Sequence, residues 1–136
     1  KTSGGKYIAP QLIENAMKQS RFIEQIMVIG DGEKMPGAFI QPSFEFVKEW
    51  AKLHGIEAGK TNQEIVSNPE VIKRIKQEVD DLNKKFGNWE QIKRFELTPD
   101  VWSINGGHLT PTLKLKRKII LGIYKDLYEE IYGHSL

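Results

Sequence analysis

Apolar positions along the chain change period several times, and each change marks an element. After a loop with a short extended piece at 6–8, Leu12, Ile13, Ala16 and Met17 recur at helical spacing from Pro10 to about Ser20. Proline suits the first helical position, where its missing N–H has no intrahelical partner to lose. Ile-Glu-Gln-Ile-Met-Val-Ile at 23–29 is β-branched and nearly continuous, which predicts a mostly buried strand. Asp31-Gly32 opens a connection to a second strand at 37–41, so the pair predicts an antiparallel hairpin with a loose tip.

Helical spacing then returns. Ser43 stands where a cap would, Phe46, Val47, Trp50 and Ala51 share a face, and Gly55 ends the segment. Thr61-Asn-Gln-Glu64 has capping-box spacing for a short helix. Asn68-Pro69 starts a long helix carrying Val71, Ile72, Ile75, Val79, Leu82 and Phe86 on one side. Its other side mixes Lys73, Arg74, Lys76, Glu78, Asp80, Asp81, Lys84 and Lys85, the composition of a solvated face. A strand at 92–97, a turn at Thr98-Pro-Asp100 and an extended piece at 101–104 follow. Asn105-Gly106 is a tight-turn signal. Ile119, Ile120, Ile123, Leu127 and Ile131 make one last amphipathic helix, stopped by Gly133. Strands and helices alternate irregularly, so the fold class is α+β: a small, mostly antiparallel sheet with a hairpin, packed by several amphipathic helices.

Composition narrows this picture by exclusion. With 136 residues, 39% of them hydrophobic, one domain with a sizeable core is expected. A net charge of +2 is too small to argue for nucleic acid, so the placement of charge matters more than its sum. The absence of cysteine removes thiol nucleophiles, disulfides and Cys-based zinc sites, and agrees with a reducing cytoplasm. No apolar run approaches the roughly 18 residues of a membrane span. The chain opens at Lys1 within a Gly-rich turn and without methionine, which reads as an excised fragment.

Few residues are arranged for chemistry. His54, His108 and His134 lie far apart without metal-ligand spacing, so no metal site is expected; His54 reads as helix-end, His108 as turn and His134 as tail. No serine sits in a nucleophile elbow, and adjacent Asp80 and Asp81 do not face each other on a helix. Gly-Gly-Lys at 4–6 lacks the upstream glycine and following Ser or Thr of a phosphate-binding loop. The rings of Phe39, Trp50, Trp89, Phe95 and Trp102 fall among apolar positions, as core residues do. Two features remain. One is the glycine turn at the start of the chain. The other is Leu-Thr-Pro-Thr-Leu-Lys-Leu-Lys-Arg-Lys at 109–118, which gathers Lys114, Lys116, Arg117 and Lys118 with no acidic residue.

Those two segments carry a resemblance. Ser-Gly-Gly-Lys-Tyr-Ile-Ala-Pro-Gln-Leu-Ile-Glu at 3–14 resembles the hinge-proximal motif of adenylate-forming enzymes, which include acyl-CoA synthetases, luciferases and peptide-synthetase adenylation domains. Residues 109–117 look like the last characteristic motif of that superfamily, in its long-chain fatty acyl-CoA synthetase form, and Ile-Lys-Arg-Phe at 92–95 fits the same branch. The resemblance covers all of residues 1–136 and implies the small, mobile C-terminal domain of a long-chain fatty acid–CoA ligase, with the large N-terminal domain absent. Alone, such a domain is expected to be inactive.

In that family a carboxylic acid attacks the α-phosphate of ATP, giving an acyl-adenylate and pyrophosphate; coenzyme A thiol then displaces AMP. The C-terminal domain rotates between the two steps. The resemblance implies ATP and Mg2+ bound mainly by the N-terminal domain, coenzyme A as co-substrate, and a fatty acid as the acid. Laying Thr112 on the family threonine places Lys116 on the adenylation lysine, with Lys114 as the second candidate and Thr112 and Lys114 as secondary cofactor-binding residues; Leu115 stands where most members have glycine. It places Ser3, Gly4, Gly5 and Lys6 along the coenzyme A channel, and leaves Arg117 and Lys118 as helix-face charges. A cytoplasmic enzyme, able to lie against the inner face of the membrane, is implied. An acyl carrier protein as acceptor, or another carboxylate as substrate, keeps the same fold. A different class is a non-enzymatic module whose basic turn binds anionic membrane or nucleic acid.

Overall fold

Two strands buried on both faces divide the molecule. The computed structural model describes residues 1–136, which form, in order, α1 (Pro10–Met17), β1 (Ile23–Ile29), β2 (Gly37–Pro42), α2 (Phe44–Leu53), α3 (Asn62–Ser67), α4 (Pro69–Asn83), β3 (Arg94–Leu97), α5 (Arg117–Ile123) and α6 (Lys125–Tyr132). Strands β1 and β2 pair antiparallel, with Ile26 opposite Ile40 and Met27 opposite Phe39. Alternate residues then go to opposite cores. Ile26, Val28, Ala38 and Ile40 join Ile13, Met17, Val47, Ile65, Val71, Ile75 and Val79 from α1 to α4. Met27, Ile29 and Phe39 join Trp102, Ile120, Tyr124, Tyr128 and Ile131 beneath α5 and α6. Burial of both faces accounts for the nearly unbroken apolar run at 23–29.

The α+β class, the hairpin and the helices flanking it hold. The sheet is mixed: β3 lies beside β2 in parallel, with Phe39 opposite Glu96 and Ile40 opposite Leu97. A parallel pairing needs a long crossover, and α2, α3 and α4 supply it. The third strand is shorter than 92–97, because Ile92 is taken up by Asn83: its N–H donates to Asn83 Oδ1 at 3.0 Å and its carbonyl accepts from Nδ2 at 2.9 Å. The extended piece at 101–104 pairs with no strand.

Local signals behave unevenly. The Thr61–Glu64 capping box forms, each side chain bonding the other residue's N–H. Ser43 occupies the N-cap of α2 but its hydroxyl makes no capping bond. The last helix breaks in two at Tyr124, whose φ of −109° and ψ of 37° leave the helical region. Gly122 weakens the segment, and the buried Tyr124 hydroxyl donates to Asp100 at 2.9 Å, which fixes where the break falls. Of the expected core rings, Trp89 is nearly half exposed, folded back over Gly87 and carrying Lys6 Nζ at 5.3 Å from its ring centre.

Gly37 sits where β2 passes under α6. A Cβ there would lie 2.9 Å from Tyr132 Oη and 3.0 Å from Ile131 Cγ2. Gly37→Ala is expected to destabilise the chain by about 1–3 kcal/mol through overpacking, read as a lowered urea midpoint with unchanged slope.

Candidate functional site

The basic segment folds as a small hairpin ahead of α5. Leu109 and Leu115 form an isolated antiparallel bridge, Thr110 N–H donates to Lys114 O at 2.8 Å, and Lys116 N–H donates to His108 O at 2.8 Å. At the tip, Lys114 N–H donates to Thr110 Oγ1 at 3.0 Å, and the hydroxyls of Thr110 and Thr112 lie 3.1 Å apart. Leu113 takes φ of 65°, the chain's single non-glycine residue in the left-handed region. A leucine held there costs on the order of 1–2 kcal/mol, so the hydrogen bonds of the hairpin, not local preference, set its shape.

This hairpin separates its charges from its apolar residues. Leu115 turns inward and packs against the core beneath α5 and α6. Lys114 and Lys116, two residues apart on extended chain, project to the other side. Lys114 is exposed, whereas Lys116 is half-buried at the N-cap of α5, with its carbonyl accepting from Ile120 N–H at 3.0 Å. Neither ammonium takes part in a salt bridge. Leucine at 115 is therefore a working residue: it anchors the loop from which Lys116 leaves.

Beneath the hairpin lies an aromatic stack that periodicity alone does not reveal. The Trp102 and His108 rings are parallel within 1° at 5.8 Å, and Tyr124 lies against both. Ser103 N–H donates to His108 Nδ1 at 3.2 Å, so that nitrogen carries no proton. The neutral ring keeps its proton on Nε2, toward Tyr124 Oη at 3.2 Å, and the Tyr124 hydroxyl in turn donates a hydrogen bond to Asp100. His108 is thus a buried prop whose carbonyl holds Lys116, more than the turn residue its position suggests. The Asn105-Gly106 turn does form, but Gly107 supplies the positive φ of 88°. Gly106 is needed for room, since a Cβ there would meet His108 Nδ1 at 2.9 Å.

The glycine turn lies along the tip of the β1–β2 hairpin. Ser3 N–H donates to Glu33 O at 2.7 Å and Gly32 N–H to Lys1 O at 2.8 Å. Within the turn, Gly5 N–H donates to Thr2 O at 3.0 Å and Gly5 takes φ of +79°. A Cβ on Gly5 would meet nothing within 4 Å, and one on Gly4 only Thr2 Oγ1 at 3.9 Å. Ser3, Gly4, Gly5 and Lys6 are all exposed. Backbone shape demands glycine at 5, yet nothing in the chain fills the open space beside it.

Glu14 and Arg117 tie the two segments together. Arg117 Nη1 donates to Glu14 Oε2 at 2.8 Å and Nη2 to Oε1 at 2.7 Å, so it is no free helix-face charge. Glu14 is buried beside Ile13 and Met17, and Leu12, expected on that stripe, is exposed instead. A carboxylate adjoining the apolar stripe of α1 was the signal available for this pairing. No group of three His, Asp or Glu side chains converges anywhere, so the chain offers no metal cage of its own.

Burial lowers the pKa of His108 below the ordinary 6.5, outweighing the pull of Asp100, and the Ser103 N–H donated to bare Nδ1 favours the same neutral ring. The unfolded chain then takes up a proton before the folded one, so the stability that neutral His108 confers is complete above about pH 6.5 and is lost as pH falls below it. Urea unfolding should show the gap between wild type and His108→Gln narrowing between pH 7.5 and 5.5. His134, whose pKa is raised by its Ser135 and Glu33 bonds, contributes the opposite slope in both proteins and cancels.

Residues 2–135 match the profile of the family described as the AMP-binding enzyme C-terminal domain. The chain is 34% identical over 139 residues to long-chain-fatty-acid–CoA ligase 6 of Homo sapiens, covering 100% of this chain and 20% of that protein. It is 30% identical over 132 residues to a long-chain-fatty-acid–CoA ligase of Mycobacterium tuberculosis, covering 97% of this chain and 22% of that protein. It thus spans about a fifth of the length of these relatives. Among solved structures, the A-PCP didomain of carboxylic acid reductase from Segniliparus rugosus in complex with AMP superposes with a TM-score of 0.76 at 19% identity. That match covers 98% of this chain and 17% of that one, and at such identity it shows the fold. The family profile matches along nearly the whole chain, and the chain belongs to the AMP-binding enzyme C-terminal domain family.

Proposed function

We propose that residues 1–136 are the mobile C-terminal domain of an ATP-dependent long-chain fatty acid–CoA ligase, following a larger adenylation domain in the same polypeptide. The relatives named as long-chain-fatty-acid–CoA ligases support the substrate class. The observation that carries the assignment of roles is the hairpin at 109–116, which fixes the backbone of Lys116 at both its N–H and its carbonyl while leaving its ammonium unpaired.

In the first step a fatty acid carboxylate oxygen attacks the α-phosphorus of ATP, and the bond to pyrophosphate breaks. Negative charge crowds where carboxylate and phosphate oxygens meet. An ammonium with no partner of its own can be delivered there and withdrawn, which a lysine committed to a salt bridge could not. Removing one such donor typically costs 10²–10³-fold in rate, about 3–4 kcal/mol. In the second step the coenzyme A sulfur attacks the acyl carbonyl and AMP leaves. Gly4 and Gly5 present bare backbone on the outer side of their turn, the surface that a narrow pantetheine channel needs. Most nucleotide contacts, and the magnesium ion that ATP brings, fall to the preceding domain. The full enzyme would act in the cytoplasm and meet its acids at the inner face of the membrane, although no helix of this chain is long and apolar enough to cross one.

In the full-length enzyme, Lys116→Ala is expected to slow acyl-adenylate formation, followed as pyrophosphate release, by 10²–10³-fold. Coenzyme A capture of supplied acyl-adenylate should survive. Lys114→Ala should leave both steps within a few-fold of wild type, and a loss in that variant equal to that in Lys116→Ala would exchange the two roles. Gly5→Val, strained at φ of +79°, should reverse the pattern by impairing capture while sparing adenylation.

A further inference from the structure

Helix α5 is thinly held. It has seven residues, of which Ile120 alone is fully buried, while Ile119 and Ile123 are 46% and 44% exposed. Beside it a pocket of about 230 Å³, lined by Ile8, Pro10, Met27, Ile29, Leu121 and Tyr128 among others, leaves the helix without close support against β1. Arg117 also borders this pocket. It is the first residue of α5, directly after Lys116. Its two-point pairing with Glu14 reaches past the unfilled space to α1.

Both oxygens of the Glu14 carboxylate are engaged. Oε1 accepts from Arg117 Nη2, and Oε2 accepts from both Arg117 Nη1 and Val28 N–H, the latter at 2.8 Å. Val28 lies on β1, an edge strand of the sheet, so Glu14 also covers a donor that no other strand pairs. Covering that donor needs an acceptor at 14 and no charge at 117. Buried ion pairs add little net stability over apolar substitutes, whereas the planar guanidinium fork fixes orientation. What the fork orients here is the start of α5, and with it the Cα of Lys116. The ammonium of Lys116 has no partner of its own, so only its backbone aims it.

On the footing that Lys116 acts in adenylation, we propose that Arg117, held by Glu14, is the positioning residue for that lysine. Displacing a reacting group by about 1 Å can cost on the order of 10²-fold in rate.

The test compares Arg117→Gln, Glu14→Gln, Lys116→Ala and the Arg117→Gln/Lys116→Ala double variant in the full-length enzyme, with the two half-reactions assayed apart. Arg117→Gln should lower kcat for adenylation by roughly 10–100-fold, leave KM for ATP and fatty acid unchanged, and spare capture of supplied acyl-adenylate. Glu14→Gln, which keeps an acceptor for Val28, should show the same split in milder form, and Arg117→Lys should recover part of the rate. In the Lys116→Ala background Arg117→Gln should cost nothing further, because its effect passes through the lysine. Retained capture shows in the same samples that the domain is folded. Equal loss in both half-reactions, or a further full loss in the double variant, would reduce the pair to a structural brace and overturn the proposal. So would full adenylation in Arg117→Gln beside a collapsed Lys116→Ala. Full adenylation in Lys116→Ala would instead remove the reading of the lysine, and the positioning role with it.

Discussion

Every residue of β2 is buried, and both faces of the β1–β2 hairpin are covered. The rest of the domain depends on that constraint. A two-sided hairpin cannot be stable alone; it needs apolar cover above and below. The cover is unequal. Four helices close one face in a large cluster, whereas α5, α6 and the Trp102 stack close the other in a smaller one. Bulk packing thus supplies the stability on the side of α1 to α4, and the lysine hairpin belongs to the thinner layer. There, specific polar contacts replace mass: Tyr124 to Asp100, Tyr128 to Glu33 and Arg117 to Glu14. A site built on such contacts is held by a few bonds of defined direction rather than by general cohesion.

Charge follows the same division. The mixed charges of α4 neutralise one another locally, as Lys76 with Asp80 and Arg74 with Glu78, four residues apart and partly or fully exposed. Such pairs contribute a few tenths of a kcal/mol each and make solubility more than structure. In the hairpin on the other face of the sheet, Lys114 and Lys116 are left without partners. A modest net charge therefore conceals a local excess, which the proposed reaction would use to meet phosphate and carboxylate oxygens.

What was legible in the sequence was what depends on short range. The strand at 23–29, the Thr61 capping box, the proline starts of α1 and α4 and the turn at Asn105-Gly106 are each set by a few neighbouring residues, and they appear as expected. The candidate site was legible as two segments, because glycine and lysine placements are local facts. The geometry that joins the two segments was not. The parallel partner of β2 arrives after a crossover through three helices, Tyr124 breaks a periodic helix to reach Asp100, and Arg117 meets Glu14 across 103 positions. Each of these is decided by which distant group is unsatisfied, and periodicity carries no record of that. The misjudged residues share this origin: Arg117 reads as a helix-face charge and His108 as a turn residue until their partners are present.

Leu113 sets a limit of another kind. Its side chain is 65% exposed, so size and polarity should be nearly free to vary there. Its backbone is not free, because φ of 65° excludes β-branched residues and favours glycine or asparagine. Drift at this position is therefore filtered by conformation rather than by contact. A glycine would relieve the strain, but it would also enlarge the range of shapes open to the unliganded loop. The present leucine gives up some stability and keeps the hairpin to a single shape, which trades tolerance of mutation for definition at the point from which Lys116 is presented.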